Sequence, residues 1–120
     1  MNEPMESILT SIKKLLGIES DYTSFDPDII IHINTCFGTL HQLGVGPEIQ
    51  FKISSADDLW TDFLTEGTEI DEVKTYVYMR VRLMFDPPSS SFVLNSFKEQ
   101  VKEFEWRLQV KAEEVRAAYE

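Results

Sequence analysis

The side chains best suited to metal or nucleophilic chemistry lie on one predicted helix. His32 and Cys36 are four residues apart, which places them on the same helix face, and His41 follows a turn and a half later. A zinc site needs four ligands, and the chain has no other cysteine or histidine. Cys36 falls beside the apolar stripe of that helix, without a base to activate its thiol. The sequence therefore predicts no metal, no cofactor and no cysteine nucleophile.

Other residues with catalytic potential have simpler structural interpretations. Adjacent carboxylates such as Asp57-Asp58 stand where helices are predicted to begin, and the helix dipole favours anions there. Residues 44–47 are rich in glycine but lack the Lys and Ser/Thr of a phosphate-binding loop. Arg80 and Arg82, on a nearly apolar helix, pair with acids, extend to solvent or receive a partner's carboxylate. We expect no enzymatic activity.

The length and composition are those of one globular domain, which we expect to span residues 1–120. The lone cysteine excludes an internal disulfide. No apolar run is long enough to cross a membrane, and residues 1–6 do not resemble a signal peptide. The sequence predicts a protein that stays in the cytoplasm of the cell that makes it and has no membrane partner.

Negative charge is concentrated in the middle of the chain. The net charge is −10, and residues 21–72 carry eleven acidic side chains against one basic side chain, Lys52. Binding to nucleic acid requires surface Lys and Arg, so this charge argues against it. The segment is either a solvated face that keeps the protein soluble or an anionic surface that repels another molecule and lets it slide past.

Hydrophobic periodicity predicts an all-α protein with four main helices, one short helix and one extended loop arm. The first helix carries an apolar stripe up to Leu16 and ends at Gly17. The second begins at Asp26, predicted as its N-cap, and ends at Gly44. A short helix is predicted around Trp60.

The third main helix is predicted over residues 69–85. Alternation over residues 75–83 also fits a strand, but the apolar run is too long for one and the first turn is acidic. Apolar side chains cover most of its circumference, so we expect it to be the central and most buried helix. The last helix follows the serines at 89–91 and runs to the end of the chain.

Residues 48–54, which we call the arm, alternate between apolar and polar side chains. Ile49, Phe51 and Ile53 share one face of this extended segment. A lone extended segment does not satisfy its own backbone donors and acceptors. The arm therefore pairs with another extended stretch or is completed by a neighbouring subunit.

Trp106 breaks the amphipathic pattern of the last helix. It points about 200° away from Leu108 and shares its face with Val110. An aromatic side chain on a polar helix face is often a contact with a partner. The alternative is that the helix packs between two layers of the same domain.

Six segments of the chain follow one another in a recognisable order and spacing. They are residues 8–17 (ILTSIKKLLG), 28–34 (DIIIHIN), 42–47 (QLGVGP), 74–78 (KTYVY), 82–88 (RLMFDPP) and 105–108 (EWRL). Together they resemble the head-tail connector, or adaptor, proteins of tailed bacteriophages. None of them is a chemical fingerprint, so the resemblance lies in their order and spacing over about residues 8–108.

The resemblance implies an all-α subunit of a dodecameric ring beneath the portal, which extends the DNA channel and docks the next neck or tail protein. Such a protein belongs to the virion neck, is assembled in the host cytoplasm, and serves genome packaging and ejection. In this family the loop after the second main helix and the C-terminal segment make many contacts, which fall here on residues 44–66 and the last turns. The expected subunit or portal contacts are Ile49, Phe51, Ile53, Trp106, Val110 and Tyr119.

The acidic middle of the chain suits a channel wall that lets DNA pass without binding it. The carboxylates expected to face the channel are Asp57, Asp58, Asp62 and Glu66. The alternative function is an acidic binding module that mimics DNA and blocks a basic partner protein. A salt-sensitive complex with a basic protein, without a ring, favours that alternative.

Overall fold

The computed structural model describes residues 6–64 and 68–118, which form five helices. They are α1 (Ile8–Leu16), α2 (Asp26–Gln42), α3 (Trp60–Phe63), α4 (Thr68–Phe85) and α5 (Ser91–Ala118). These residues contain no strand beyond one isolated bridge, and the arm is extended between α2 and α3. The predicted all-α class, with four main helices, a short helix and an extended arm, is confirmed.

Helix α4 is the element on which the other long helices pack. It contacts α1, α2 and α5, so the prediction of a central helix here is confirmed and the alternative strand is excluded. The expectation that it is also the most buried helix is wrong, because α1 buries a larger fraction of its length, five of nine residues. The buried side chains of α4 are Val73, Tyr76, Val77, Met79 and Val81.

The link between α1 and α2 is fixed by a buried lysine. Lys13 is only 2% exposed, and its Nζ lies 2.9 Å from Oδ1 of Asp26. The same Nζ donates to the backbone carbonyls of Ser20 and Tyr22, at 3.1 and 2.8 Å. These three partners offset the cost of burying the ammonium. Phe25, and not Asp26, is the N-cap residue of α2, and it makes no side-chain capping hydrogen bond. The prediction of Asp26 as the N-cap is therefore wrong.

The short helix α3 is attached to α1. Two backbone hydrogen bonds of 3.0 and 3.1 Å form an isolated antiparallel bridge between Ser7 and Leu59. The indole Nε1 of the buried Trp60 donates to Oγ of Ser11 at 2.9 Å. These polar contacts connect parts of the chain that are about fifty residues apart in sequence.

Helix α5 runs antiparallel to α4 and is held partly by polar contacts. It begins after Ser90, whose Oγ accepts from the backbone N–H of Val93 at 3.4 Å, as the predicted serine cap requires. Among its described side chains, only Val101 and Leu108 are buried, although the apolar stripe extends to Val115. The C-terminal part of this stripe is therefore not covered by the described parts of the chain.

Candidate interaction site

The backbone of the arm is held by a side chain of α2. The backbone N–H of Ile53 donates to Oδ1 of Asn34 at 2.8 Å, and Nδ2 of Asn34 donates to the carbonyl of Ile53 at 3.0 Å. At Ile53, the side-chain amide of Asn34 thus makes the hydrogen bonds that a partner strand was predicted to make. Asn34 was missed as a functional residue, although a polar side chain in line with Ile30 and Phe37 on the apolar stripe was a usable signal.

The three apolar side chains of the arm have different surroundings. Phe51 packs against the rings of Phe37 and Phe63, with centroids 5.2 and 5.4 Å apart. Ile53 is 3% exposed and belongs to the core of its own chain, whereas Ile49 is 84% exposed. Of these three predicted contact residues, Ile49 has the most surface to offer to another molecule.

Trp106 lies on the outer face of α5. Its side chain is 67% exposed, so α5 does not pack between two layers of its own domain at this position. Val110, one turn further along, is half-buried. Tyr119, also predicted as a contact, lies outside the described residues. The structure thus places an exposed indole where a partner contact was predicted.

The acidic residues predicted to face a channel are partly used within the chain. One carboxylate oxygen of Asp58 accepts from the backbone N–H groups of Ser54 and Ser55, at 2.8 and 3.2 Å. Oδ2 of Asp62 accepts a hydrogen bond of 2.9 Å from the backbone N–H of Leu59, the residue before α3. Asp57 is exposed, and Glu66 lies outside the described residues. Two of the four carboxylates therefore shape the turn between the arm and α3 as well as carrying charge.

The two histidines and the cysteine each pack or hydrogen-bond within the chain. Cys36 is fully buried, and this burial raises the pKa of its thiol to about 12, so it stays protonated. Nε2 of His41 lies 2.9 Å from the carbonyl oxygen of Glu48 and fixes the start of the arm. His32 packs against Phe85. In the part of the chain that the structure describes, no group of three or more His, Cys, Asp or Glu is arranged to hold a metal ion.

A polar network joins α2, α4 and α5 through Arg80. Its Nη1 donates to Oγ1 of Thr39 at 2.8 Å and to the hydroxyl of Tyr76 at 3.2 Å. Tyr76 in turn donates to Oε2 of Glu105 at 2.7 Å. Burial, followed by the hydrogen bond to Glu105, raises the pKa of Tyr76, so the phenol remains a donor. Arg80 is thus engaged inside the chain and reaches an acid through Tyr76.

An open apolar groove lies between the loop after α2 and the C-terminal half of α5. Its cavity volume is about 250 Å³. Gly44 and Gly46 both have positive φ, 87° and 99°, and a Cβ at Gly46 would collide with the ring of Phe63. Glycine is therefore required for the loop to take this path. The residues that line the groove are Gly44, Val45, Gly46, Leu64, Leu108, Lys111, Ala112 and Val115.

A second apolar region lies at the opposite end of the helix pair α4 and α5. Phe92, in the first turn of α5, is largely exposed, and Val93 and Met84 are partly exposed beside the turn between the two helices. No helix in the described residues is long and apolar enough to cross a membrane. Exposed apolar side chains that lie close together are typical of surfaces that contact another molecule.

The chain belongs to the family of phage connector proteins, since the model of that family, described as phage connector protein, matches residues 8–115. The match runs from α1 into the last turns of α5, so it includes the arm, the groove and Trp106. The resemblance to bacteriophage connectors is therefore confirmed, and the protein is a structural phage protein. No curated protein and no solved structure was found to match the chain.

Proposed function

We propose that this connector protein is a head-tail adaptor that forms a dodecameric ring beneath the portal, extends the DNA channel and docks the next neck or tail protein. The observation that supports this best is the exposure of Trp106 and Ile49 in a chain of the connector family. Large apolar side chains that stay in water are typical of surfaces that another protein covers. An adaptor of this kind joins proteins and needs no catalytic group.

The subunit and portal contacts are assigned to the exposed apolar residues. Ile49 on the arm, and Trp106 with Val110 on α5, form the contact surface, and Tyr119, outside the described residues, is assigned to it as well. Phe51 and Ile53 contribute indirectly, because their packing against the core fixes the shape of the arm. A preshaped surface loses less conformational entropy when it binds.

The acidic residues are assigned to the wall of the channel. A net charge of −10 repels phosphates, so DNA passes without being held. Asp57, Asp58 and Asp62, together with Glu66, supply the charge on the segment between the arm and α4. The purified protein is accordingly expected not to bind duplex DNA even at low salt, where screening is weakest. The adaptor belongs to the virion neck and is assembled in the host cytoplasm.

The decisive experiment is negative-stain microscopy and mass photometry of the protein, alone and mixed with the portal of the same phage. Rings of connector on the portal are the expected result. A protein that never binds the portal would overturn the proposal. A salt-sensitive complex with a basic host protein, without any ring, would favour the DNA-mimic function.

A pair of variants tests the contact at Trp106. Trp106→Ala is expected to weaken assembly on the portal, because it removes a large aromatic side chain that assembly would bury. Trp106→Phe keeps an aromatic ring and is expected to retain most of the assembly. Equal assembly by both variants and by the unaltered protein would remove Trp106 from the interface.

A further inference from the structure

The groove between the loop after α2 and α5 is an apolar surface with a cationic rim. Side chains such as Val45, Ala112 and Val115 line it. Nζ of Lys111 lies 2.9 Å from Oε1 of Glu72, so that charge is paired. Nη2 of Arg116 lies 3.0 Å from the position that a Cβ on Gly44 would take, which puts the guanidinium at the edge of the groove. Within the described residues Arg116 takes part in no ion pair.

The tip of the arm has the complementary properties. Ile49 projects into solvent, and the preceding Glu48 is exposed and forms no ion pair within the described residues. His41 fixes the carbonyl of Glu48, and Asn34 fixes both backbone groups of Ile53. The tip is thus held on both sides, so an apolar side chain and an adjacent anion are presented together.

We propose that Ile49 of one copy of this chain occupies the groove of a second copy, with the carboxylate of Glu48 pairing with Arg116 at the rim. The cavity of about 250 Å³ is larger than the ~150 Å³ apolar cavities that admit a benzene ring, so an isoleucine side chain fits. The apolar Ile49 matches the apolar groove, and the anionic Glu48 matches the cationic Arg116.

The contact joins two different surfaces of the same subunit, so every copy offers one tip and one groove. Such a head-to-tail contact repeats from subunit to subunit and closes into a ring when the rotation allows it. The inference therefore rests on the proposed function and deepens it, because it names the surface that receives the arm.

Cysteine cross-linking between two variants tests the contact. Ile49→Cys and Val115→Cys proteins are prepared separately, mixed with the portal and exposed to a mild oxidant. A disulfide-linked dimer is expected in the mixture and in neither variant alone. The native Cys36 stays out of the reaction because it is buried and protonated. A mixture of Phe92→Cys with Val115→Cys is the matched control, since Phe92 is exposed at the far end of α5.

A charge exchange tests the ion pair at the rim. Glu48→Arg and Arg116→Glu are each expected to weaken assembly by about fivefold or more, because each places like charges together. The double variant restores the opposite charges and is expected to recover most of the assembly. Two single defects that add in the double variant would overturn the pairing.

The outcomes separate this contact from the ring itself. Assembly on the portal without the cross-link between positions 49 and 115 would overturn the contact and leave the adaptor function intact. Formation of the cross-link, together with mass photometry of the unaltered protein that shows no species larger than two copies alone or on the portal, would keep the contact and overturn the ring. Failure of the unaltered protein to assemble, alone or on the portal, would overturn the proposed function.

Discussion

The two sides of α4 are held by different kinds of contact. On one side α1 and α2 pack against it and bury apolar residues such as Ile12 and Ile33. On the other side α5 buries few side chains and relies on polar links, including Glu105 with Tyr76 and Lys111 with Glu72. The first side makes the fold stable, and the second leaves the outer face and the C-terminal half of α5 available to partners.

The largest expected effect is on the apolar side of α4. Val77→Asp places an unpaired carboxylate among fully buried residues, which is expected to lower the free energy of unfolding by about 3–5 kcal/mol or more. Thermal unfolding followed by circular dichroism measures this. Val115→Asp, at an exposed position on α5, is the control and is expected to change little. Equal losses in both variants would remove the contrast between the two sides.

The contact between the arm and α2 comes next. Asn34→Ala leaves the backbone N–H and carbonyl of Ile53 without partners, and we expect a loss of about 1–3 kcal/mol in urea unfolding. The arm should also become more susceptible to proteolysis. Thr35→Ala is the neighbouring control, because Thr35 bonds only to its own helix. An arm as resistant as before would show that packing of Phe51 alone fixes it.

A smaller effect is expected where α5 meets α4. Tyr76→Phe removes the hydroxyl that accepts from Arg80 and donates to Glu105, at an expected cost of about 1 kcal/mol. Hydrogen exchange should increase in α5 more than in α2, since only α5 loses its link. Tyr78→Phe is the matched control, with a single longer contact of 3.3 Å to Arg82. Uniform exchange across the helices would mean that α5 and the core unfold together.

The smallest effect on the subunit itself is expected at Trp106. Trp106→Ala should change the free energy of unfolding by no more than about 0.5 kcal/mol, because the side chain is exposed. Leu108→Ala, two residues away but buried, is expected to cost about 2–5 kcal/mol. A large loss for Trp106→Ala would place the indole in the core of the subunit instead of at an interface.

Periodicity predicted the helices because it reports burial, which dominates packing. The capped ends at Gly17 and Ser90 and the helical state of α4 followed from local rules. The sequence did not predict the pairing of Lys13 with Asp26, since local rules assign each to its own helix end. The Asn34 contact was missed for a similar reason: it joins residues nineteen positions apart, and only the packed structure brings them together.

The candidate site was predicted in part. The exposure of Trp106 follows from its position on the polar face of the helix, whereas the existence of the groove does not follow from any helix pattern. The groove depends on the path of the loop through Gly44 and Gly46 and on the approach of α5, neither of which leaves a periodic signal. Phe51 and Ile53 were assigned to one surface with Ile49 by alternation alone. Ile53 instead turns into the core, because the arm is not a flat strand.

The contact of α3 with α1 has a consequence for the order of events during synthesis. α1 leaves the ribosome first, yet the indole of Trp60 that bonds to Ser11 follows 49 residues later. At the usual rate of about 5–20 residues per second, α1 waits about 2–10 s before this partner exists. The surface of α1 that packs on α3 and α4 therefore stays uncovered through the middle of translation, whereas α2, which also packs against α1, is already complete.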